Sequence, residues 1–276
     1  MEKINNLEIS ESSKKVYKSI LKRFEKYNFN IDSKITMIKI NKLLSNVEKT
    51  SSKLDLLNLI IVIGDINEKT MEQIKQLRKD LQHERLDNNI KTMNDKKKIL
   101  MNYETFEEKL NELFDKKKYK AYLLNYLMYI YGLRNLDLNI IICHKKCNDI
   151  DPKKNYLIMS GKKILFIRNV YKTAKKYGPK ENILTFDNTD TKNKIFESIS
   201  HIPEGPIINQ DNTVGNELRK LLILKEADVF KMIINHYYKK EDTEKINELS
   251  SSRGTSIETI KNFYNINAEK EIIREI

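Results

Sequence analysis

Two arginines, one lysine and one late tyrosine have side chains of the types that act on phosphate esters. Arg134 follows an apolar segment, Arg219 lies in a Leu-Arg pair, and Tyr264 lies near the C-terminal end. Lys172 precedes Thr173 between two β-prone runs. A guanidinium stays charged and binds two phosphate oxygens at once, and an ammonium can donate a proton. A phenol titrates at about pH 10 and becomes a good nucleophile when nearby cations favour its anion.

The order and local sequences of these residues resemble the catalytic set of the tyrosine recombinases, the phage integrase family. The family's first arginine lies in a Gly-x-Arg-x-x-Glu/Asp-Leu pattern, which Gly132, Arg134, Asp137 and Leu138 fill. The Lys-Thr pair and the late tyrosine also match. The resemblance covers roughly residues 100–276 and, more weakly, the N-terminal part.

The resemblance implies a site-specific recombinase or integrase that cuts and rejoins DNA through a 3′-phosphotyrosine intermediate. Arg134 and Arg219 would clamp the scissile phosphate, and Lys172, on a β-turn, would protonate the 5′ leaving oxygen. Tyr264 would be the nucleophile. The resemblance implies neither a metal ion nor another cofactor, and no small-molecule substrate.

Two of the six usual catalytic positions depart from the family pattern. Asn216 stands where the family has His, three residues before Arg219. An amide can donate a hydrogen bond to phosphate, but it cannot exchange a proton near neutrality. Residues 249–256 replace the family's Leu-Gly-His box, and Arg253 is the candidate substitute there.

These departures leave three other interpretations open. The chain is alternatively a catalytically degenerate DNA-binding protein with a recombinase fold. It is alternatively similar to the type IB topoisomerases, which use the same Arg, Lys and Tyr chemistry to relax DNA as monomers. The third alternative is a helical interaction protein whose basic charge reflects only the codon usage of an AT-rich genome.

The charge of the chain favours a polyanionic partner. Lys and Arg number 51 against 39 Asp and Glu, a formal net charge of +12. Residues 152–180 contain nine basic residues and no acidic one, which codon usage alone does not explain. Four lysines of this stretch are predicted to bind DNA and are rivals of Lys172 as the general acid: Lys162, Lys163, Lys175 and Lys176.

Several other reactive side chains are interpreted as structural. Tyr237 and Tyr238 are rival nucleophiles, but their apolar helical context favours packing. His236 stands among apolar residues and is also interpreted as packed. Cys143 and Cys147 flank His144 in a C-x3-C spacing with no second ligand pair, so a metal site is not predicted.

Periodicity predicts a mainly α protein with a small antiparallel sheet, an α+β fold. A helical bundle that would clamp DNA is assigned to residues 1–90, a polar linker to 91–98, and an integrase-like catalytic domain to 99–276. Helices are predicted at 11–27, 35–44, 53–63, 68–86, 103–113, 119–131, 192–198, 214–224, 227–238, 244–250 and 257–264. Strands are predicted at 156–159, 164–167 and 183–186.

Partners and location follow mainly from the resemblance. The predicted partner is double-stranded DNA, bound largely through phosphates. The short amphipathic tail, Asn267–Ile276, would dock on a neighbouring subunit and give a homotetramer on DNA. Sparse cysteines, no apolar run of membrane-spanning length and no signal-peptide pattern predict an intracellular location where DNA is present.

Overall fold

The computed structural model of the chain describes residues 2–9, 11–97, 100–145, 147, 149–208 and 214–265. The chain divides into two compact units, Met1–Met93 and Asn94–Ile276. The predicted α+β class is confirmed, since the structure is mostly helical with one small sheet. No helix among the described residues is long and apolar enough to cross a membrane.

The first unit is entirely helical in its described part. Its core joins Phe24, Ile40, Leu57 and Ile74, one from each of four helices, and all four side chains are buried. The helical periodicity of the sequence therefore marks a real apolar interface. The helices are α1 (Glu2–Asn5), α2 (Glu11–Lys26), α3 (Met37–Ser45), α4 (Thr50–Ile63) and α5 (Glu68–Lys97).

The fifth helix is longer than the sequence predicted. It continues to Lys97 through most of the predicted linker at 91–98. Residues 87–97 are polar but contain neither Gly nor Pro. Polar residues are compatible with a solvated helix, and nothing in this stretch interrupts the backbone hydrogen bonds. Weak hydrophobic patterning was therefore a poor sign of irregular structure here.

The second unit wraps several helices around one buried helix. The side chains of Leu123, Leu124 and Leu127 on α7 are fully buried, as expected for a helix that is apolar on most sides. The predicted helices of this unit are all present. The helices are α6 (Tyr103–Asp115), α7 (Tyr119–Tyr131), α8 (Ala174–Tyr177), α9 (Thr189–His201), α10 (Val214–Leu221), α11 (Glu226–Lys239), α12 (Thr243–Arg253) and α13 (Ile257–Phe263).

The sheet is mixed, whereas the sequence predicted a wholly antiparallel one. Its strands are β1 (Ile140–Cys143), β2 (Asn155–Ser160), β3 (Lys163–Arg168), β4 (Lys180–Ile183) and β5 (Gly205–Pro206). The order is β4-β3-β2-β1-β5, and β1 pairs with β2 in parallel. The predicted hairpin corresponds to β2 and β3. The sequence did not predict β1 or β5. These two strands form by pairing with segments that are distant in the chain, and a local sequence pattern does not indicate such pairing.

The predicted strand at 183–186 is displaced towards the N-terminus. The observed β4 shares only Ile183 with it, and Leu165 of β3 pairs with Ile183. Backbone pairing at a sheet edge does not require apolar side chains, and most of β4 is exposed. The predicted tail helix Asn267–Ile276 lies outside the described residues.

Candidate active site

Arg134 is presented by a tight turn after α7. Gly132 ends the helix with a φ of 59°, and a Cβ there would lie 2.7 Å from the Phe230 ring. Both the conformation and the close approach require glycine. The buried Asp137 carboxylate accepts a hydrogen bond from the Arg134 backbone N–H at 2.9 Å. The residues that fill the family pattern thus close one turn around Arg134.

The Arg134 side chain contacts the turn between α12 and α13. Its Nη1 donates to the carbonyl oxygen of Arg253, and its Nη2 donates to Thr255 Oγ1 at 2.7 Å. Burial, followed by the neighbouring Arg253 charge, lowers the pKa of Arg134 from its ordinary value. The turn after α7 is therefore attached to the segment that leads to Tyr264.

Arg253 is buried and bonded to protein groups. Its side chain is 2% exposed, and its Nη1 donates to the carbonyl oxygens of Gly132 at 2.6 Å and Leu133 at 3.1 Å. Its Nη2 donates to Glu226 Oε1 at 2.7 Å, and the guanidinium carbon lies 4.1 Å from the centre of the Phe230 ring. Its predicted role as a catalytic substitute stays a prediction, but these contacts give Arg253 an internal position.

Two further cations bind the C-terminal end of α12. Arg168, at the end of β3, donates from Nη1 to the Ser252 carbonyl oxygen at 3.0 Å. Lys180, at the start of β4, donates to the carbonyl oxygens of Ser251 and Ser252. The last carbonyls of a helix carry partial negative charge, which cations stabilise. The sheet is thus joined to α12, and α13 connects α12 to the candidate nucleophile.

Lys172 lies on the finger, which we define as residues 169–179 between β3 and β4. The finger is anchored at Val170, whose N–H donates to Asn155 Oδ1 at 2.7 Å. Its Thr173 side chain touches the α12–α13 turn, since a Cβ on Gly254 would lie 2.2 Å from Thr173 Oγ1. The neighbouring Lys172 is exposed. The Lys-Thr pair therefore lies beside the turn that Arg134 contacts.

Tyr264 ends α13 and packs against the same cluster. Its ring meets Phe230 edge to face, with centroids 4.7 Å apart, and lies 5.6 Å from the Arg253 guanidinium carbon. Asn235 Nδ2 donates to the Tyr264 carbonyl oxygen at 2.9 Å. The side chain is only partly buried, and it is among the groups whose negative charge would raise the pKa of Arg134, after Asp137 and Glu226. Arg134 and Tyr264 therefore both lie against Arg253, Arg134 at its carbonyl oxygen and Tyr264 beside its guanidinium.

Arg219 and Asn216 lie on a further helix, α10. Both are exposed on α10, which is attached to α7 by the hydrogen bond from Asn125 Nδ2 to the Leu221 carbonyl oxygen at 2.9 Å. In the described part of the chain, no hydrogen bond or ion pair joins Arg219 to Arg134, Arg253 or Tyr264. Whether Arg219 acts at the same phosphate stays a prediction.

The rival lysines divide between two ends of the sheet. Lys162 and Lys163 lie at the β2–β3 turn, and both are exposed. A strand of six residues spans roughly 20 Å, so this turn is far from Arg168 at the other end of β3. Lys175 and Lys176 are exposed on the finger itself. Only the finger lysines are therefore neighbours of Lys172.

The other reactive side chains belong to packed clusters. The Tyr237 hydroxyl lies 3.3 Å from the Tyr103 hydroxyl, and burial raises the pKa of Tyr238, which disfavours a phenolate. The His236 ring stacks on Tyr103 with centroids 3.5 Å apart. Burial, followed by the Lys240 charge, lowers the pKa of His236. These contacts agree with the interpretation of all three as packing residues.

The Cys143–Cys147 segment does not form a metal site in the described structure. The His144 Nε2–H donates to the carbonyl oxygens of Ile199 at 3.0 Å and Ile202 at 2.8 Å. Burial, followed by the hydrogen bond with Cys147, raises the pKa of Cys143 to about 12, which opposes the thiolate that a metal needs. Among the residues that the structure describes, no three His, Cys, Asp or Glu side chains are grouped as metal ligands.

The site combines several cations with few acids. Burial raises the pKa of Asp137, although Arg168, Arg134 and Arg253 oppose this effect. Burial, followed by Arg168, lowers the pKa of Lys180. A cleft of about 640 Å³ opens beside these groups. Its polar lining residues are Tyr131, Arg168, Lys180, Glu181, Asn182, Thr185, Lys245, Asn247, Glu248, Ser251 and Ser252.

Sequence reasoning missed Arg168, Lys180 and Glu226. Arg168 ends an apolar strand and is 1% exposed, so an arginine in a β-prone run was one available signal. Lys180 was counted only as part of the basic stretch. Glu226 directly precedes the helix predicted at 227–238, and the structure places it in the first turn of α11. Their contacts join segments far apart in sequence, which a local pattern does not reveal.

Comparisons with models of known protein families, with curated proteins and with solved structures returned no match.

Proposed function

We propose that this protein is a DNA strand transferase of the tyrosine recombinase type, which breaks and rejoins DNA through a bond between Tyr264 and a 3′ phosphate. The main support is that Arg134 and Thr173 contact the α12–α13 turn, and that the Tyr264 ring lies 5.6 Å from the guanidinium carbon of Arg253, the last residue of α12. This turn bonds to Arg134, touches Thr173 and leads into α13, which Tyr264 ends. Residues from three separate sequence motifs thus lie around Arg253 and the turn that follows it.

The proposed reaction is a transesterification. The Tyr264 phenol loses its proton to solvent, the resulting phenolate oxygen attacks the scissile phosphorus, and the bond from phosphorus to the 5′ oxygen breaks. Arg134 binds the phosphate oxygens and stabilises the added charge of the transition state. Lys172 gives its proton to the departing 5′ oxygen. The reverse attack by a free 5′ hydroxyl would rejoin the strand and release Tyr264.

The basic surface supports a DNA substrate. Lys172, Lys175 and Lys176 are exposed on the finger, and cations of this kind bind the phosphates of a duplex without reading its sequence. The net charge of +12 agrees with a polyanionic partner. Assembly as a homotetramer on DNA is part of the proposal and follows from the family resemblance.

Covalent capture on a pool of DNA sequences tests this function. The protein is incubated with nicked duplexes whose sequence is randomised around the nick, so that release of a short strand traps the intermediate. We expect a protein–DNA adduct on a denaturing gel, with the DNA attached to Tyr264. Tyr264→Phe should abolish the adduct and leave duplex affinity nearly unchanged, because only the hydroxyl is removed. An adduct that persists in Tyr264→Phe but disappears in Tyr237→Phe or Tyr238→Phe would disprove this assignment.

A DNA-binding protein without catalytic activity is the second candidate. The observation that favours it is that Arg219 is exposed on α10 and that no described hydrogen bond or ion pair joins it to Arg134, Arg253 or Tyr264. Salt-sensitive duplex binding without any adduct would support this second function. Supercoil relaxation by a monomer would instead indicate chemistry of the type IB topoisomerases.

A further inference from the structure

The Glu226 carboxylate connects the start of α11 with the turn that carries Arg134. Its Oε2 accepts the backbone N–H of Asn135 at 2.9 Å, and its Oε1 accepts Arg253 Nη2 at 2.7 Å. Arg253 in turn binds the carbonyl oxygens of Gly132 and Leu133. Backbone groups on both sides of Arg134 are therefore bound by this one ion pair.

The surroundings of the pair favour a positioning role. Arg253 is 2% exposed, and Glu226 is 24% exposed. The Arg253 guanidinium lies against the Phe230 ring, and both of its terminal nitrogens donate to protein oxygens. It is therefore directed at the protein rather than at solvent. Arg134, in contrast, is half-buried.

The ion pair also balances charge near Arg134. A carboxylate beside a phosphate site would repel the DNA phosphate, and Glu226 is close enough to Arg134 to affect its pKa. Arg253 neutralises this carboxylate at 2.7 Å. If one partner of a buried ion pair is removed, the other is left as an uncompensated charge, which costs more than removing both.

We infer that Glu226 and Arg253 form a positioning pair: the two side chains fix the backbone around Arg134, and Arg253 cancels the charge of Glu226 so that the Arg134 charge is available to the phosphate. This inference rests on the proposed function. Both members act through Arg134 rather than by contact with the substrate. The pair also gives Arg253 a different role from that of a sixth phosphate-contacting residue.

The first test is a double-mutant cycle on a duplex recovered by covalent capture. Glu226→Gln keeps the shape of the side chain and should slow adduct formation about tenfold. Arg253→Met should slow it more, since it leaves Glu226 uncompensated. The double variant Glu226→Gln/Arg253→Met should react at least several-fold faster than Arg253→Met alone. A double variant as slow as Arg253→Met, or slower, would overturn the charge-balance role.

The second test separates positioning of Arg134 from general destabilisation. A methylphosphonate at the scissile position is neutral, so it depends less on a guanidinium. On this substrate, the rate of adduct formation by wild type divided by that of Glu226→Gln should fall towards one. The corresponding ratio of wild type to Arg134→Ala should fall as well. Ile199→Ala, a core change in α9, is the control and should give the same ratio on both substrates. Equal ratios on both substrates for Glu226→Gln would overturn the positioning role.

Failure of the inference is distinguishable from failure of the proposed function. If the wild-type protein forms no adduct with any duplex, the proposed function is wrong. If the wild type forms the adduct through Tyr264 and the two tests give the overturning results, only the inference about Glu226 and Arg253 is wrong. The methylphosphonate test with Glu226→Gln decides the positioning role even if Arg253→Met fails to fold.

Discussion

The three arginines near the turn after α7 have the same side chain but different surroundings. Arg168 and Arg253 are almost fully buried, with exposed fractions of 1% and 2%, and their contacts are to protein oxygens. Arg134 is half-buried and, like Tyr264, lies against Arg253. An arginine that is partly open to solvent remains available to a phosphate, whereas a buried one is committed to the fold. All three donate to protein oxygens, so burial, rather than residue type or hydrogen bonding, separates their roles.

Lys172 is expected to act as the general acid, and a substituted leaving group tests this. In Lys172→Ala, adduct formation should slow on ordinary DNA and recover when sulfur replaces the bridging 5′ oxygen. A thiolate leaves without a proton, because a thiol has a much lower pKa than an alcohol. Arg134→Ala should not recover on the sulfur substrate, since its task is to stabilise charge.

The rival lysines give the matched controls for this measurement. Lys162 and Lys163 lie at the opposite end of β3. The rate of adduct formation of Lys162→Ala or Lys163→Ala, relative to wild type, should therefore be the same on the ordinary and the sulfur substrate. Lys175→Ala and Lys176→Ala test the remaining finger positions. Recovery confined to one of these four lysines would assign the general acid to that residue, and no recovery at any lysine would remove the general-acid role.

At the scale of elements, the α12–α13 turn is the point of contact between helices and sheet. Arg168 and Lys180 bring β3 and β4 to the end of α12, while Arg134 brings the turn after α7 to the same place. Cations at the end of a helix are stabilised by its terminal carbonyls. Because α13 follows directly, the position of Tyr264 depends on elements from most of the second unit.

Gly254→Ala should lower the free energy of unfolding by more than the cost of placing alanine at a positive φ. The φ of 62° costs a residue with a side chain about 1–2 kcal/mol, and the new Cβ would clash with Thr173. Adding Thr173→Ala should recover the part of the loss caused by the clash. The free energy of unfolding from urea titrations measures both effects.

Gly161→Ala is the matched control for this prediction. Its φ is 56°, but a Cβ there would have no neighbour within 4 Å. It should therefore show only the cost of the left-handed conformation. A loss for Gly254→Ala no larger than that for Gly161→Ala would mean that the finger does not pack against the α12–α13 turn.

At the scale of the whole molecule, charge is the property most closely tied to the proposed partner. The basic stretch at 152–180 folds into β2, β3 and the finger, and it places exposed lysines at both ends of β3. Binding of many phosphates releases counterions, so affinity falls steeply as salt increases. The distribution of lysines over the second unit is therefore expected to set the salt dependence of DNA binding.

Replacement of single lysines should identify which of them contact phosphates. Lys162→Ala, Lys163→Ala, Lys175→Ala and Lys176→Ala should each lower the slope of log affinity against log salt concentration by about 1. Lys109→Ala, an equal loss of charge on the exposed side of α6, should leave the slope unchanged. Equal slopes for all five variants would show that these lysines contribute only to the net charge.

The sequence by itself determined most of the helices, the α+β class and the end of α7 at Gly132. Apolar residues at helical spacing predict a helix because burial of one face stabilises it, and Gly132 marks the end of α7 because only glycine adopts the required conformation without strain. The β2–β3 hairpin was also predicted, because its two strands are adjacent in the sequence. The extent of α5 was missed because a solvated helix needs no apolar pattern.

Only the tertiary structure decided which polar residues meet. Glu226 and Arg253 are distant in sequence from Gly132, yet their hydrogen bonds fix the residues around Arg134. The tertiary structure alone likewise determined that Arg168 binds the end of α12 and that β1 pairs in parallel with β2. These contacts depend on how the helices pack around the sheet, and no periodicity in the chain encodes the partner of a buried ion pair. The residue types thus indicated the chemistry, whereas the packing determined which arginines remain available for it.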